Sequence, residues 1–370
     1  MLDWTASRTA LKWLCRLENL RAKLRRRGRR ADPEAQGRAA FYAGLWREAA
    51  AAVGGAFIQR GYGVYEIRLG DLRTRVTDIC CPLHDQMALI VAGNKPLTYR
   101  LLDDAGLPTP RRVVFTIRDF EKAARFLQET DRPCVVKPAV GTAGGDGVVT
   151  GVRRRSDLAW AAAAAAVEHG PELLIEEQKA GGNYRLLYLD GELLDAVWRR
   201  PPTVVGDGQS AIRRLVEKAN TERLAACRAR VFKLLTIDLD MRNTLAAQGL
   251  TLNSIPTAGA TVVLKTVVNQ NFGPENVTAT STLCDAVIEA GARAAACVGA
   301  RFAGVDLVTP DPALPLDQAG GVILEVNVAP GLHYHYHKQD GDYPVAVRVL
   351  ERLLSGQPVP EAPCLAGTRP

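Results

Sequence analysis

Two apolar runs near the C-terminal end carry polar side chains where a buried strand would carry none. The first reads Gly304-Val-Asp306-Leu-Val, and nineteen residues after Asp306 comes Ile323-Leu-Glu325-Val-Asn327-Val-Ala-Pro-Gly331. Glu325 and Asn327 alternate along an extended run, so both project from one face. Asp306 ends the other run and would meet them across a hairpin. Two carboxylates and an amide oxygen make an all-oxygen set suited to Mg²⁺, a hard cation often shared with substrate phosphates. A polar edge strand beside a solvated aspartate accounts for the same letters.

The rest of the chain interleaves strands and helices, with frequent hairpin signals. Phe41 to Gln59 reads as an Ala-rich helix, followed by strands at Val64–Leu69 and Arg73–Ile79 about a turn at Gly70-Asp71. A helix from Asn94 to Leu102, strand Arg112–Thr116, helix 118–129 and strand Pro133–Pro138 come next. Beyond a glycine-rich loop lie strand Val148–Val152, an Ala-rich helix and strand Leu173–Glu177. A hairpin from Tyr184 to Trp198 turns at Asp190-Gly191. Helix 210–228, a loop-rich insertion, strand Thr261–Lys265 and helix 282–298 precede the polar hairpin. Hairpins among helices point to α+β lobes rather than one doubly wound parallel sheet. At 370 residues there is room for two or three domains with real cores.

The charge is unevenly spread. Residues 1–40 hold eleven Arg/Lys against four Asp/Glu, which is the whole net charge of +7, and the remainder balances at 36 against 36. With a neutral body, nothing suggests a nucleic-acid-binding surface there, and no nucleic-acid partner is expected. Leu11, Trp13, Leu14, Leu17 and Leu20 fall at helical spacing before the basic run Arg21 to Arg30. A solvated helix with a frayed basic linker is expected, with an anionic surface or acidic partner as the other reading. There is no secretory h-region and no apolar run of membrane-spanning length. The eight cysteines show no C-x-x-C and no zinc spacing, which suits reduced thiols and a cytoplasmic location.

The second chemical signal is Lys137-Pro-Ala-Val-Gly141-Thr142-Ala-Gly144-Gly145-Asp146-Gly147-Val148. Glycines between two strands let backbone N–H groups approach phosphate closely, and Lys137 would put a cation beside it. The order is not that of a Walker loop, and a strand rather than a helix follows, so it is not a Rossmann fingerprint. An ordinary glycine-rich hairpin is the structural alternative.

An ordered series of segments resembles the ATP-grasp superfamily of ligases, and most closely the ATP-grasp module of cyanophycin synthetases and of the related bifunctional glutathione synthetases. Asn94-Lys95-Pro-Leu-Thr98 with Gly106 to Pro110 is similar to the first lysine segment. Val135 through Val148 looks like the second lysine and the phosphate-covering loop, and Ile175-Glu176 to Arg185 like the adenine hinge. Arg199 to Ser210 and Leu250 to Pro256 look especially like cyanophycin synthetase. Asp306, Glu325 and Asn327 fall where that family holds magnesium. The series covers roughly residues 92–355.

The resemblance implies an ATP-grasp fold, two α+β lobes clasping ATP, with a small α/β domain before them. The expected divisions are a basic helical segment at 1–40, the small domain at 41–91, the small lobe at 92–178, the large lobe at 179–360 and a tail at 361–370. It implies an ATP-dependent carboxylate–amine ligase that forms an amide through an acyl phosphate. Lys95 and Lys137 would hold the α and β phosphates, and Gly141, Thr142, Gly144, Gly145 and Gly147 would cover the β and γ phosphates. Glu176, the backbone of Glu177 and Gln178, and Asn183 would line the nucleotide site. Lys265, where relatives usually carry Arg, would support the γ-phosphate, and Arg185 and Arg199 would clamp carboxylate or phosphate; an exposed ion pair is the bland reading of either arginine. Two Mg²⁺ ions, with Mn²⁺ as substitute, and small carboxylate and amine substrates follow from the same resemblance, as does a homodimer.

Several positions depart from that pattern. Asn183 stands where relatives have an acid, and Asn269 to Asn276 replaces a loop that helps form the acceptor pocket. His333, His335 and His337 alternate with Tyr334 and Tyr336, and on an extended segment the histidines would share one face. They could recognise substrate, act as general base, bind zinc, or simply pack. No second ligase module follows residue 360, so a single amide bond on a small substrate is expected rather than a polymer. A phosphotransferase and an inactive nucleotide-binding regulator are the other functional classes, the second opposed by the intact Lys95, Lys137, Asp306, Glu325 and Asn327.

Overall fold

The computed structural model describes residues 8–27, 33–142, 145–225, 231–271 and 275–355; Gly144, Gly273, Cys227, Cys364, Arg29, Arg30 and the tail 361–370 lie outside them. The chain starts with two helices, α1 (Arg8–Arg27) and α2 (Pro33–Ala52). The helix expected to run to Gln59 stops at Ala52 because Gly54 takes a φ of +73°, which a glycine adopts without strain. Strands β1 (Ala56–Gly61), β2 (Val64–Leu69) and β3 (Leu72–Val76) then form an antiparallel meander. Glu66, at its centre, is buried under Arg60, Arg68 and Arg75.

Next come α3 (Gln86–Ala92), α4 (Lys95–Asp104), β4 (Arg112–Phe115), α5 (Phe120–Gln128), β5 (Cys134–Pro138), β6 (Val149–Val152), α6 (Arg155–His169) and β7 (Leu173–Glu177). The four strands pair antiparallel in the order β4-β7-β5-β6. Phe120, Ala123, Phe126, Leu158 and Ala162 of the two long helices cover one face. Against α6 lies α1, which buries Leu11 and Leu14 in that core and leaves Trp13 exposed. The helix expected to be solvated is therefore packed along one stripe, because the small alanines of α6 let a neighbour approach.

The third part contains β8 (Gly182–Leu189), β9 (Glu192–Arg199), β10 (Thr203–Val205), α7 (Ile212–Ala225), α8 (Leu239–Ala247), β11 (Thr261–Val263), β12 (Asn276–Thr278), α9 (Asp285–Cys297), β13 (Phe302–Thr309), α10 (Leu316–Ala319), β14 (Val322–Asn327) and α11 (Val345–Leu353). Five strands pair antiparallel in the order β12-β9-β8-β13-β14. The expected turn at Asp190-Gly191 joins β8 to β9, both residues at positive φ. The insertion expected to be loop-rich contains α8, whose N-cap Asp238 accepts the Met241 N–H at 3.0 Å.

Trp46 of α2, Ile67 of β2, Leu187 and Leu194 of the β8–β9 hairpin, Phe302 of β13 and Leu350 of α11 share one core. Burial of each such side chain contributes roughly 1.5–3 kcal/mol. The meander and α2 are thereby fixed to the large sheet, which brings one face of α2 to the site.

Candidate active site

The four-stranded and five-stranded sheets meet at a cavity of about 680 Å³, lined from both and from α2. At its inner end Asn94 caps α4 by accepting the Leu97 N–H at 3.0 Å, and the Lys95 N–H donates to the Ala139 carbonyl at 3.0 Å. The first turn of α4 is thus tied to the chain leaving β5. Lys95 Nζ donates to the Thr142 carbonyl at 3.1 Å and lies 3.7 Å from Glu325 Oε1. Burial, partly countered by Glu325 and reinforced by Lys137, lowers the Lys95 pKa.

Lys137 of β5 and Glu176 of β7 are diagonal neighbours across a strand pair. Lys137 Nζ donates to Glu176 Oε1 at 2.8 Å and to the Tyr99 hydroxyl at 2.9 Å. That hydroxyl lies 3.0 Å from Glu176 Oε2 and 2.8 Å from the Leu324 carbonyl. Burial raises the Tyr99 pKa far enough to keep it a phenol. One network therefore ties α4, β5, β7 and β14 together.

The glycine loop stands beside these lysines. Its Gly141 N–H donates to the Gly93 carbonyl at 3.2 Å. Gly147 has a φ of +76°, and a Cβ there would meet His169 and Pro138 within 2.9 Å. A Cβ on Gly145 would lie 3.0 Å from Asn269, and Lys233 Nζ is 3.0 Å from Asp146. The loop thus stands against the insertion at Lys233 and the segment after β11 at Asn269.

On the opposite wall β13 and β14 form the expected hairpin, with Asp306 directly across from Glu325 and Gly304 across from Asn327. Asp306 also faces Arg185 of β8 in the ladder. Arg185 binds it through two nitrogens, Nη2 donating at 2.9 Å, and Arg199 Nη2 lies 3.0 Å from Oδ1. Burial alone would raise the Asp306 pKa, but Arg185 and Arg199 outweigh it and hold the carboxyl below its ordinary range. Both guanidinium groups lie 5.2–5.3 Å from the Tyr334 ring centroid, and Arg199 Nε also donates to Asn183 Oδ1 at 2.9 Å. The Asn327 amide donates to the Gly304 carbonyl at 3.4 Å. Its oxygen, with the Glu325 carboxylate two residues away on the same face of β14, suits an oxygen-preferring cation. Among the described residues no cluster of three or more His, Cys, Asp or Glu side chains could hold a metal, so a cation here would complete its shell with other oxygens.

Over 314 residues the chain is 31% identical to cyanophycin synthetase of Trichormus variabilis, covering 84% of this chain and 34% of that protein. It is 30% identical over 280 residues to the glutathione biosynthesis bifunctional protein of Streptococcus agalactiae, covering 72% and 36%. The crystal structure of a bifunctional glutathione synthetase from Pasteurella multocida superposes with a TM-score of 0.55 at 24% identity, over 85% of this chain and 44% of that one. This chain has the ATP-grasp fold. It spans about a third of the length of the curated relatives it matches. No protein-family model matches it. The likeness to ATP-grasp ligases implies ATP and Mg²⁺ in general.

Two expectations for the site differ from what is seen, those for Lys265 and for the histidine segment, while Glu176, Glu177 and Gln178 do line the cavity. Lys265 does not line the cavity; it is buried, with Nζ 2.5 Å from Asp238 Oδ2 and 3.1 Å from the Thr236 hydroxyl. Glu176 spends its carboxylate on Lys137 and Tyr99. The N–H groups of Glu177 and Gln178 donate to the carbonyls of Arg111 at 3.0 Å and Pro133 at 2.9 Å, so those donors are engaged in the sheet. The histidine segment is not extended. Leu332–His335 is a 3-10 turn, in which i and i+2 do not share a face.

His333 consequently lines the cavity, its ring centroid 4.1 Å from that of Tyr334, and burial beside Arg38 and Arg185 depresses its pKa strongly. His335 turns the other way into the core, 2.8 Å from Asp195, whose carboxylate Lys338 also reaches at 2.9 Å. Lys95, Lys137, Thr142, Gly145, Glu176, Glu177, Gln178, Asn183, Arg185, Arg199, Asp306, Glu325, Asn327 and His333 all line the one cavity. Sequence reasoning missed Arg38, Phe41, Phe232 and Lys233, which line it too. Their one available signal was the i, i+3 spacing of Arg38 and Phe41 on a helix.

Proposed function

We propose that this ATP-grasp chain is an ATP-dependent ligase that joins a small carboxylate, such as an amino acid or short peptide, to an amine. The observation that carries the proposal is the approach of Lys95 to Glu325, 3.7 Å across the lobe junction. It sets phosphate-directed cations and cation-directed oxygens around the same volume. Phosphoryl transfer asks mainly for positioning and charge neutralisation.

Lys95 and Lys137 would bind the nucleotide phosphates, with Tyr99 and Glu176 fixing Lys137. Glu325 and Asn327, and Asp306 when its arginines turn to substrate, would hold two Mg²⁺ ions, with Mn²⁺ as substitute. Bound Mg²⁺ would neutralise the phosphates. Arg185 and Arg199 would orient the carboxylate and steady the acyl phosphate, while the loop from Gly141 to Gly147 keeps water from that intermediate. A neutral His333 would be able to take the proton of the attacking amine. One amide bond per turnover, a cytoplasmic setting and a homodimer complete the proposal.

The test is an ADP-release screen over pairs of amino acids, with mass spectrometry of products. Stoichiometric ADP and a single amide, dependent on the amine, is the expected result. Phosphorylated product without an amine would make the chain a phosphotransferase, and extended polymer would overturn the single-bond reading.

A further inference from the structure

Beyond the arginine pair, the cavity is walled by residues of α2 and of the 3-10 turn. Arg38 and Phe41 stand one turn apart on α2, so both face the cavity. Tyr42, the next residue, accepts the Leu332 N–H at 3.0 Å, and its hydroxyl lies 3.3 Å from His333 Nδ1. The helix therefore sets the pose of the turn. Phe41 meets the Tyr336 and His337 rings edge to face, at centroid distances of 6.1 and 5.9 Å. His333 lies against Tyr334, and Phe232 lines the same cavity. Rings held this way offer faces and edges to a planar guest.

The charges point the same way. Arg38 holds Asp78 through Nε at 2.8 and 3.0 Å, Lys233 holds Asp146, and Arg185 and Arg199 share Asp306. At the arginine pair two guanidinium groups share one carboxylate, so that part of the cavity wall carries surplus positive charge. Arg38 is the most accessible of the four cations, with 38% of its side chain exposed.

We infer that α2 and the Leu332–His335 turn form a substrate subsite for a carboxylate carrying a planar aromatic group. The assignment rests on the ligase proposal only for the word substrate; binding is tested without turnover. Phe41 is the specificity element and Arg38 the anion contact.

The test is isothermal titration of the full chain with phenylalanine and 3-phenylpropionate, against alanine and propionate. The aromatic acids are expected to bind at least about tenfold tighter, since stacking and ring burial together amount to a decade or more of affinity. Phe41→Leu is expected to remove about a decade of that preference, and Arg38→Gln to weaken both aromatic acids, with AMP-PNP affinity unchanged in each. Arg38→Gln lies outside the core, so it keeps the test decisive if Phe41→Leu fails to fold. Equal affinity for aromatic and aliphatic acids, or variants that bind the aromatic acids like the parent, would overturn the subsite. Aromatic acids that bind while no amino-acid pair releases ADP would uphold the subsite and sink the ligase proposal. ADP release with aliphatic acids alone would do the reverse.

Discussion

Lys137 and Lys265 show how two lysines that look alike in sequence come apart in the fold. Each ends or follows an apolar run, but Lys137 points at the cavity beside Glu176 while Lys265 is held by Asp238, 27 residues away. Spacing carries no trace of that second partner, so only the resemblance spoke for Lys265. Lys137→Met is expected to weaken AMP-PNP binding by tenfold or more, and Lys265→Met to leave it within about threefold while lowering the urea midpoint. Equal losses of nucleotide affinity would restore Lys265 to the phosphate site. A second residue prediction concerns pH. His84 lies under Phe302 with ring centroids 6.0 Å apart, accepts the Cys81 N–H at 3.4 Å, and burial pushes its pKa from the ordinary 6.5 to about 4. Between those values the unfolded chain binds a proton that the native one refuses, so stability falls as pH drops from 6.5 towards 4, by up to about 3 kcal/mol from this group. His333 and His335, also depressed, act in the same direction. His84→Phe should flatten that part of the urea midpoint against pH, and an unchanged slope would remove His84 from the account.

At the scale of elements, what was legible followed the strength of the local pattern. The apolar strand over Leu173–Glu177 and the turn at Asp190-Gly191 were read as they stand, because an apolar run and a turn dipeptide are local signals. The Asp306 and Glu325 pairing was legible for the same reason. α8 was not, since Asp240, Arg242 and Asn243 dilute its apolar stripe and its helical state rests on the Asp238 cap and on packing of Met241 and Leu245. The histidine segment misled because its period of two was taken for a strand, whereas Tyr42 and the Asp195 network bind it into a 3-10 turn from outside. The passage from β7 to β8 depends on one glycine. Gly181 has a φ of +134°, and a Cβ there would lie 2.3–2.5 Å from the backbone of Thr309 and Pro310 at the end of β13. Neither neighbour is a flexible side-chain tip, so Gly181→Ala must displace the hinge or the strand. A loss of about 2–4 kcal/mol is expected, the sum of backbone strain and overpacking. A thermal midpoint matching the parent's would show that the hinge approaches β13 less closely than this.

For the whole molecule, the question is whether the meander and α2 are an appendage or part of the folding unit that carries the site. The expected boundary between residues 91 and 92 treats them as separate, yet no gap in apolar packing follows it. Trp46 is 1% exposed, and its Nε1 donates to the Asp78 carbonyl at 2.9 Å. Its core neighbours come from α11 and from the same face of the sheet that carries Asp306, with Leu187 and Phe302 two and four residues along their strands from Arg185 and Asp306. Arg301 and Arg352 converge on Asp190 at the β8–β9 turn, so α11 is fixed to the same sheet by charge as well. A deletion of packing at Trp46 should therefore be felt at the nucleotide site. Trp46→Ala leaves a large cavity and an unpaired carbonyl, a cost of about 3–5 kcal/mol. If the core is one unit, the variant's thermal transition moves down as a single step, and AMP-PNP raises the midpoint of that same step through mass action. If α2 and the meander were an appendage, the variant would melt in two steps, and AMP-PNP would shift only the later one. The single step is expected, because Phe41 and Tyr42 on the same helix reach the cavity and brace its turn, so the helix does not leave without taking one wall of the site with it.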